Sequence, residues 1–308
     1  MVVTMIFRCS HVVESHAVPT YHVCKEEIHM DAIYEPRGAA LEYCEAACNL
    51  YRGCVHGCRY CYAPSAVRRT REDFHSGRQL RDGILDALRR DLFVGACGDS
   101  RVLFCFTSDP YQVGCDNSAT RAALEMCSAA SRPFAVLTKG GMRAADDFDL
   151  YEGNGWFGTT LAFTDDRSRQ AWEPCAASVE SRIEAIRTAH SLGIRTWVSM
   201  EPVIEPAQAL DLVIELRHDV DEWRVGRWNH DARANSIDWI EFTSLAIRTC
   251  LDTGADFMLK EALHRYACPG AITRYVEGQV VARRTAWVGG SNGNAQDTQA
   301  QARPAAAC

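Results

Sequence analysis

Short apolar runs alternate with stretches of helical periodicity along most of this chain. The run Val102–Phe106 is wholly apolar, which is typical of a buried parallel strand. Leu80, Ile84, Leu88 and Leu92 instead recur at helical spacing. The alternation repeats about six times, and it predicts parallel strands joined by crossover helices.

The predicted elements divide the chain into one α/β domain with irregular ends. Strands are predicted near 48–52 and at 101–106, 134–137, 156–163, 195–200, 222–225 and 256–259. Helices are predicted at 79–92, 118–130, 144–151, 179–192, 205–216 and 237–253. We expect an irregular extension over 1–31, the α/β domain over 32–285 and a disordered tail over 286–308. The pattern alone leaves open whether the sheet closes as a barrel or is doubly wound.

Composition narrows the class of protein. In 308 residues, 47% are hydrophobic, which is enough for a sizeable core, and the net charge of −7 argues against general nucleic-acid binding. The 15 cysteines are odd in number and scattered, so we expect a reducing, cytoplasmic location rather than a secreted disulfide framework. No apolar run reaches the length of a membrane span, so no membrane partner is expected.

The richest chemistry lies in the segment 49–64, where Cys54, Cys58 and Cys61 are spaced C-x3-C-x2-C. Three thiolates on so short a loop can ligate three irons of a cubane cluster, which leaves the fourth iron open for another ligand. Gly53 and Gly57 let the loop curl around such a cluster.

The cysteine spacing could also arise by chance in a cysteine-rich chain, or it could belong to a zinc site. Zinc loops usually need a second pair of cysteines, and no clear pair follows Cys61. A separate metal site from the Cys and His residues of 1–31 matches no closed spacing, so an irregular extension is favoured there. The sequence around the loop favours the cluster.

The string N-x-Y-x-G-C-x-H-G-C-x-Y-C-Y-A resembles the radical S-adenosylmethionine (SAM) superfamily, in particular its spore photoproduct lyase and DNA repair photolyase branch. The resemblance implies a partial (β/α)6 TIM-type barrel of parallel strands, a [4Fe-4S] cluster on the three cysteines, and SAM on the open iron. It also implies reductive cleavage of SAM to a 5′-deoxyadenosyl radical, an electron donor of the flavodoxin or ferredoxin type, and lyase-like repair of a DNA lesion as a candidate reaction.

Polar clusters follow the predicted strands, at the end of the sheet where parallel α/β folds place their sites. By the resemblance, Ser108 and Asp109 hold the amino group of SAM, and Tyr60 lies near its adenine. Lys139, Glu201 and Asn229 are further candidates for SAM or substrate, with a surface turn or ion pair as the alternative for each. Cys105 and Cys127 are predicted to be core residues, and Cys115 a turn residue.

The substrate is left open by the sequence. Besides lesion repair, radical modification of a peptide or RNA and a non-catalytic iron–sulfur protein are alternatives. A nucleic acid would need a basic surface, and the hypothesis is a rim formed by Arg68, Arg69, Arg71 and Arg78. The same arginines can instead pair with the neighbouring acids Glu72, Asp73, Asp82 and Asp86.

Overall fold

The computed structural model describes residues 31–267. The predicted N-terminal extension with its Cys and His residues, the last part of the predicted α/β domain (268–285) and the predicted C-terminal tail lie outside the described residues. The proposed domain boundaries therefore stay predictions.

An eight-stranded sheet forms the centre of the molecule, in the order β1-β2-β5-β6-β7-β8-β9-β10. Strand β1 is antiparallel to β2, and every later neighbouring pair is parallel. A small antiparallel pair, β3-β4, stands apart from this sheet. The strands are β1 Ile33–Tyr34, β2 Ala46–Cys48, β3 Tyr51–Arg52, β4 Gln79–Leu80, β5 Val102–Phe104, β6 Phe134–Thr138, β7 Gly155–Thr160, β8 Arg195–Val203, β9 Glu222–Arg227 and β10 Phe257–Leu259.

Helices fill the connections between the parallel strands. The α-helices are α1 Ala63–Ala66, α2 Arg71–His75, α3 Ile84–Phe93, α4 Ser118–Ala129, α5 Asp166–Trp172, α6 Val179–Ser191, α7 Pro206–Glu215, α8 Trp239–Thr253 and α9 Glu261–His264. The 3-10 helices are Gly38–Glu42, Gly141–Leu150 and Ala232–Ser236.

Strand order decides between the two architectures that the sequence left open. From β2 to β10 each parallel strand lies beside the next one along the chain, whereas a doubly wound sheet reverses its order at a switch point. Six crossovers separate these strands, and within residues 31–267 the first and last strands of the sheet are not paired with each other. The predicted partial (β/α)6 barrel of parallel strands is confirmed.

The core has two parts because the parallel strands are buried on both faces. A large cluster lies between the sheet and the helices, and a smaller one fills the inside of the curved sheet around Trp197. Gly158 makes room for this indole, since a Cβ there would lie 2.2 Å from Trp197 Cε2. Side chains thus close the interior, and polar groups gather where the strands end.

Several predicted boundaries are wrong, all near the cysteine loop or at short connections. The predicted helix at 79–92 begins only at Ile84, because Gln79–Leu80 forms β4 against β3. The predicted first strand near 48–52 is divided between β2 and β3, and helix α5 was not predicted. Asn117 occupies the N-cap position of α4 without a side-chain capping hydrogen bond, and Ser118, the first residue of the helix, donates to Asp116.

Helices of the described segment are too short or too polar to cross a bilayer.

Candidate functional site

The cysteine loop follows β3 and is fixed by backbone hydrogen bonds at both ends. Cys54 N donates to Phe74 O (3.1 Å) and Arg59 N donates to Trp172 O (2.8 Å). Gly53 and Gly57 have φ of +78° and +66°, which glycine adopts without strain. A Cβ at Gly53 would also lie 2.2 Å from Gly77 O, so both features require glycine there.

Helix α2 holds the cysteine loop through two side chains. The guanidinium of Arg71 donates to Cys58 O (2.5 Å) and to Cys61 O (2.9 Å). The imidazole of His75 is bonded through Nδ1 to Cys54 O (2.8 Å). The backbone of all three loop cysteines is therefore anchored to one short helix.

A single cavity of about 420 Å³ brings the predicted site residues together at the carboxyl ends of the strands. All nine side chains selected from the sequence line it: Cys54, Cys58, Cys61, Tyr60, Ser108, Asp109, Lys139, Glu201 and Asn229. Its volume is within the range of about 300–1,000 Å³ that is usual for small-molecule sites. What these residues bind stays a prediction.

All three thiols of the loop line the cavity. Burial raises the pKa of all three, that of Cys58 to about 12. Within residues 31–267, no three His, Cys, Asp or Glu side chains are close enough to share one metal ion. A cubane does not need such a group, since each thiolate binds a different iron.

The other cysteines singled out from the sequence differ in position. Cys127 is buried in the core, and Cys115 lies in a turn that does not line the cavity. Cys105 is buried as predicted, but it also lines the cavity.

Asp109 is held by three hydrogen bonds from neighbouring loops. Its carboxylate accepts from Thr138 Oγ1 (2.6 Å), Tyr111 N (2.9 Å) and Lys139 N (2.7 Å). His56 Nδ1 lies 3.5 Å from Asp109 Oδ2. The side chain thereby joins the loops after β5 and β6 to the cysteine loop. Ser108, beside it, donates to Gly53 O (2.8 Å).

Tyr60 rests on a buried ion pair that the sequence did not reveal. Its hydroxyl donates to Glu173, which pairs with Arg182 at 2.6 Å, and both partners are almost fully buried. Burial opposes ionisation of Glu173, but Arg182 and Lys139 outweigh it and lower the pKa of this carboxyl. The ammonium of Lys139 lies 5.7 Å from the Tyr60 ring centroid and bonds Thr160 Oγ1.

Glu201 collects three donors on the opposite part of the sheet. Its carboxylate accepts from Lys260 Nζ (2.5 Å), Tyr43 Oη (2.6 Å) and Asn229 Nδ2 (3.3 Å). Lys260 directly follows β10, so the sequence alone could have indicated it as a site residue at a strand end. Tyr43 follows no strand end, and only the fold brings it to Glu201.

The hypothesised arginine rim is mostly engaged within the protein. Arg69 pairs with Asp73 at 2.5 Å, Arg71 holds the cysteine loop, and Arg78 bonds Asp116 O while stacking on Tyr51. The alternative hypothesis paired these arginines with neighbouring acidic residues, and among the four arginines only Arg69 has such a partner, Asp73. Three of the four arginines are therefore not free to form the predicted phosphate-binding rim.

Comparison with known proteins places the chain in a family. The family model described as "Protein of unknown function (DUF5131)" matches residues 38–268. The chain belongs to this family. The chain is also 27% identical over 200 residues to uncharacterized proteins of Mycobacterium tuberculosis and Mycobacterium bovis, a match that covers 60% of this chain and 56% of each relative. It thus spans little more than half the length of the curated relatives that it matches.

The structure is similar to a solved structure of spore photoproduct lyase with dinucleoside spore photoproduct. That match has a TM-score of 0.56 and 15% sequence identity, and it covers 72% of this chain and 78% of the lyase. SuiB of Streptococcus suis bound to S-adenosylmethionine has a TM-score of 0.52 and 10% identity over 69% and 45% of the chains. SuiB bound to its precursor peptide SuiA has a TM-score of 0.54 and 12% identity over 71% and 50%. The fold is that of the radical SAM enzymes, including the spore photoproduct lyase branch.

Proposed function

We propose that this protein is a radical SAM enzyme that holds a [4Fe-4S] cluster on Cys54, Cys58 and Cys61 and binds SAM beside it. The observation that carries the proposal is the shared cavity: three thiols of one loop and six polar side chains line it at the strand ends. When bound, the cluster would supply one electron to cleave SAM into methionine and a 5′-deoxyadenosyl radical that abstracts hydrogen from a substrate. A flavodoxin or ferredoxin would deliver that electron.

The donor set fits a cluster better than a simple metal ion. No three His, Cys, Asp or Glu side chains of the described residues are close enough to share one ion, whereas each thiol of the loop can bind a different iron of a cubane. The raised pKa values of the three thiols describe the protein alone, and bound iron would deprotonate them. The glycines with positive φ allow the loop to turn its thiols and N–H groups toward one centre.

The chain's own residues would bind and orient SAM. Asp109 has both carboxylate oxygens engaged with neighbouring loops, which fixes its negative charge where the SAM ammonium would lie. Tyr60 is held by Glu173 and offers its ring to the adenine. Lys139 has no carboxylate within 4 Å among the described residues, so its ammonium can pair with the SAM carboxylate.

For the substrate, two candidates rest on similar structures. Spore photoproduct lyase with its dinucleoside photoproduct supports repair of a DNA lesion, by lyase-like chemistry. SuiB with its precursor peptide supports peptide modification instead. Phe106, Leu137 and Tyr62 give the cavity apolar walls that would exclude water from a reactive radical in either case.

The test is anaerobic reconstitution followed by reduction. We expect about four irons and four sulfides per chain, an electron paramagnetic resonance signal of a reduced cubane, and 5′-deoxyadenosine when SAM is added. Cys58→Ala should lose the cluster and with it all cleavage of SAM. A wild-type protein that takes up one zinc ion and no cluster would exclude the proposal.

Cys115→Ala is the matched control for the cysteine variants. Like Cys54 and Cys61, Cys115 is half-buried, and its contacts to Gln112 O and Arg143 use backbone atoms that alanine retains. It should keep the iron content and SAM cleavage of the wild type. Equal loss of iron in both variants would mean that the loop cysteines have no special role.

A further inference from the structure

The charged groups that line the cavity are unevenly paired. Its two carboxylates are engaged: Asp109 by three donors, and Glu201 by Lys260, Tyr43 and Asn229. Lys139, Arg37 and Arg227 also line the cavity, and among residues 31–267 no carboxylate lies within ion-pair distance of any of them. The cavity therefore has uncompensated positive charge in a protein whose net charge is −7.

Arg227 ends β9, and its guanidinium is fixed by aromatic rings rather than by an acid. It lies 5.2 Å from the Trp239 ring centroid and 5.8 Å from that of Tyr266. Its Nε is buried and has no hydrogen-bond acceptor among the described residues. An unpaired buried donor is unfavourable, and the residues that the structure describes supply no acceptor for this one.

The next residue along the chain repeats this feature. Trp228 is only 3% exposed and lines the cavity, yet its Nε1 also lacks an acceptor within the described residues. Its ring is held by Trp172, at 5.1 Å and nearly perpendicular, and by Arg233 at 5.2 Å. Two adjacent residues at one strand end thus carry donors without an acceptor among the described residues, but both nitrogens are sealed off from the cavity, so only the terminal nitrogens of Arg227 are available to a bound anion.

Arg37 reaches the same cavity from the connection between β1 and β2. The 3-10 helix that follows it, Gly38–Glu42, is tied to the end of β10, because Glu42 accepts from Glu261 N (2.6 Å) and lies 3.5 Å from Lys260 Nζ. Strand β10 pairs with β9, which carries Arg227. Lys139, by contrast, lies after β6, three strands away or about 14 Å along the sheet.

We infer that Arg37 and Arg227 form an anion subsite that binds an oxyanion of the substrate, a phosphate or a carboxylate, with Trp228 as part of its wall. The guanidinium fork matches both groups. Its role as a substrate site rests on the proposed function, in which Lys139 binds the SAM carboxylate. The subsite lies three strands from Lys139, so it is separate from that contact with SAM. It deepens that function by requiring a substrate with negative charge near the reacting C–H bond.

The experiment uses the reconstituted full-length protein and two probe anions, inorganic phosphate and acetate, with chloride keeping the ionic strength constant. Phenylglyoxal modification of each arginine is followed by mass spectrometry as anion concentration rises. We expect Arg37 and Arg227 to be protected together, with one apparent Kd. The anion that binds more tightly assigns the oxyanion of the substrate.

Variants test whether the donors act on one anion. Arg227→Gln should raise the Kd for protection of Arg37 about tenfold or more, because a charge-assisted hydrogen bond is lost. Arg37→Gln, read from the protection of Arg227, should likewise raise the Kd about tenfold, because the second guanidinium makes the same kind of charge-assisted bond. It also serves if Arg227→Gln does not fold. Arg217→Gln is the control, since exposed Arg217 contacts only Ile214 O among the described atoms and does not line the cavity.

Absence of protection by both anions in the wild type, or an unchanged Kd in both Arg227→Gln and Arg37→Gln, would overturn the anion subsite. Failure of the proposed function is read separately, from iron content and SAM cleavage by the wild-type holoenzyme without any probe anion.

Discussion

Arg71 shows at the scale of one residue how the cysteine loop is held. Its guanidinium bridges Cys58 O and Cys61 O, which a lysine ammonium cannot do with the same geometry. Positive charge near a cluster favours its reduced, more negative state. The side chain should therefore both position the loop and raise the reduction potential of a bound cluster.

We predict that Arg71→Ala lowers both cluster retention against a chelator and the midpoint potential, whereas Arg71→Lys lowers retention but keeps most of the potential. Redox titration monitored by electron paramagnetic resonance measures the potential, and iron release measures retention. Arg59→Ala is the control, because the loop's Arg59 is exposed and its bond to Trp172 comes from the backbone. If Arg71→Ala behaves like Arg59→Ala in both measurements, this role of Arg71 is refuted.

At the scale of elements, a close packing contact inside the curved sheet joins β7 to β8. Gly158 and Trp197 are direct neighbours in the parallel register, and the indole occupies the space of a missing Cβ. We predict that Gly158→Ala lowers the free energy of unfolding by about 1–3 kcal/mol through overpacking, measured by urea denaturation. The double variant Gly158→Ala with Trp197→Ala should lose less free energy of unfolding than the two single variants lose in sum.

Gly77→Ala is the control for this prediction, since a Cβ there meets no heavy atom within 4 Å. It should change the free energy of unfolding by no more than about 0.5 kcal/mol. Additive effects of Gly158→Ala and Trp197→Ala would show that the two residues do not compete for the same space.

A second link between elements is Asp166, which joins α5 to α6. Its carboxylate accepts from Arg169 Nε (2.9 Å) and from Val179 N (3.2 Å), and these donors, Arg169 first, lower its pKa to about 2. The folded value lies below the unfolded value of about 3.9. The stabilisation is therefore complete above about pH 5 and is lost as the pH falls toward 2.

We predict that Asp166→Asn is less stable than the wild type by about 1 kcal/mol near pH 6, because the pair is partly exposed and screened. The difference should shrink toward zero near pH 2. Urea unfolding of both proteins across this range measures it. A difference that stays constant with pH would mean that the charge of Asp166 is not what joins the helices.

At the scale of the whole molecule, the charge of −7 and the engaged arginines limit any nucleic-acid interface. Three cations that line the cavity have no carboxylate partner within the described chain: Arg37, Lys139 and Arg227. We predict that single-stranded DNA, if bound, shows a slope of log K against log salt no steeper than about −2, at about −0.7 per phosphate. Fluorescence anisotropy against salt measures the slope. A slope steeper than about −5 would reveal a larger basic surface than the described residues offer.

Much of the fold was contained in local sequence patterns. Apolar runs, helical spacing and the polar clusters after each run depend on neighbours in the chain, and they predicted the alternating elements and the strand-end position of Asp109, Lys139 and Glu201. The spacing of Cys54, Cys58 and Cys61 is likewise set by the covalent chain, so the loop can be recognised from the sequence alone. Boundaries were less secure, because β4 forms only by pairing with β3.

Contacts between distant segments were decided only by the tertiary structure. The sequential strand order, the Glu173–Arg182 pair beneath Tyr60 and the approach of Tyr43 to Glu201 join residues that are far apart in the chain. No periodicity encodes such pairs, since their energy depends on burial and on partners that folding brings together. For the same reason, the sequence could not predict the hydrogen bonds of Arg71 and Arg78 within the protein. Nor could it predict that the buried donors of Arg227 and Trp228 lack an acceptor among the described residues.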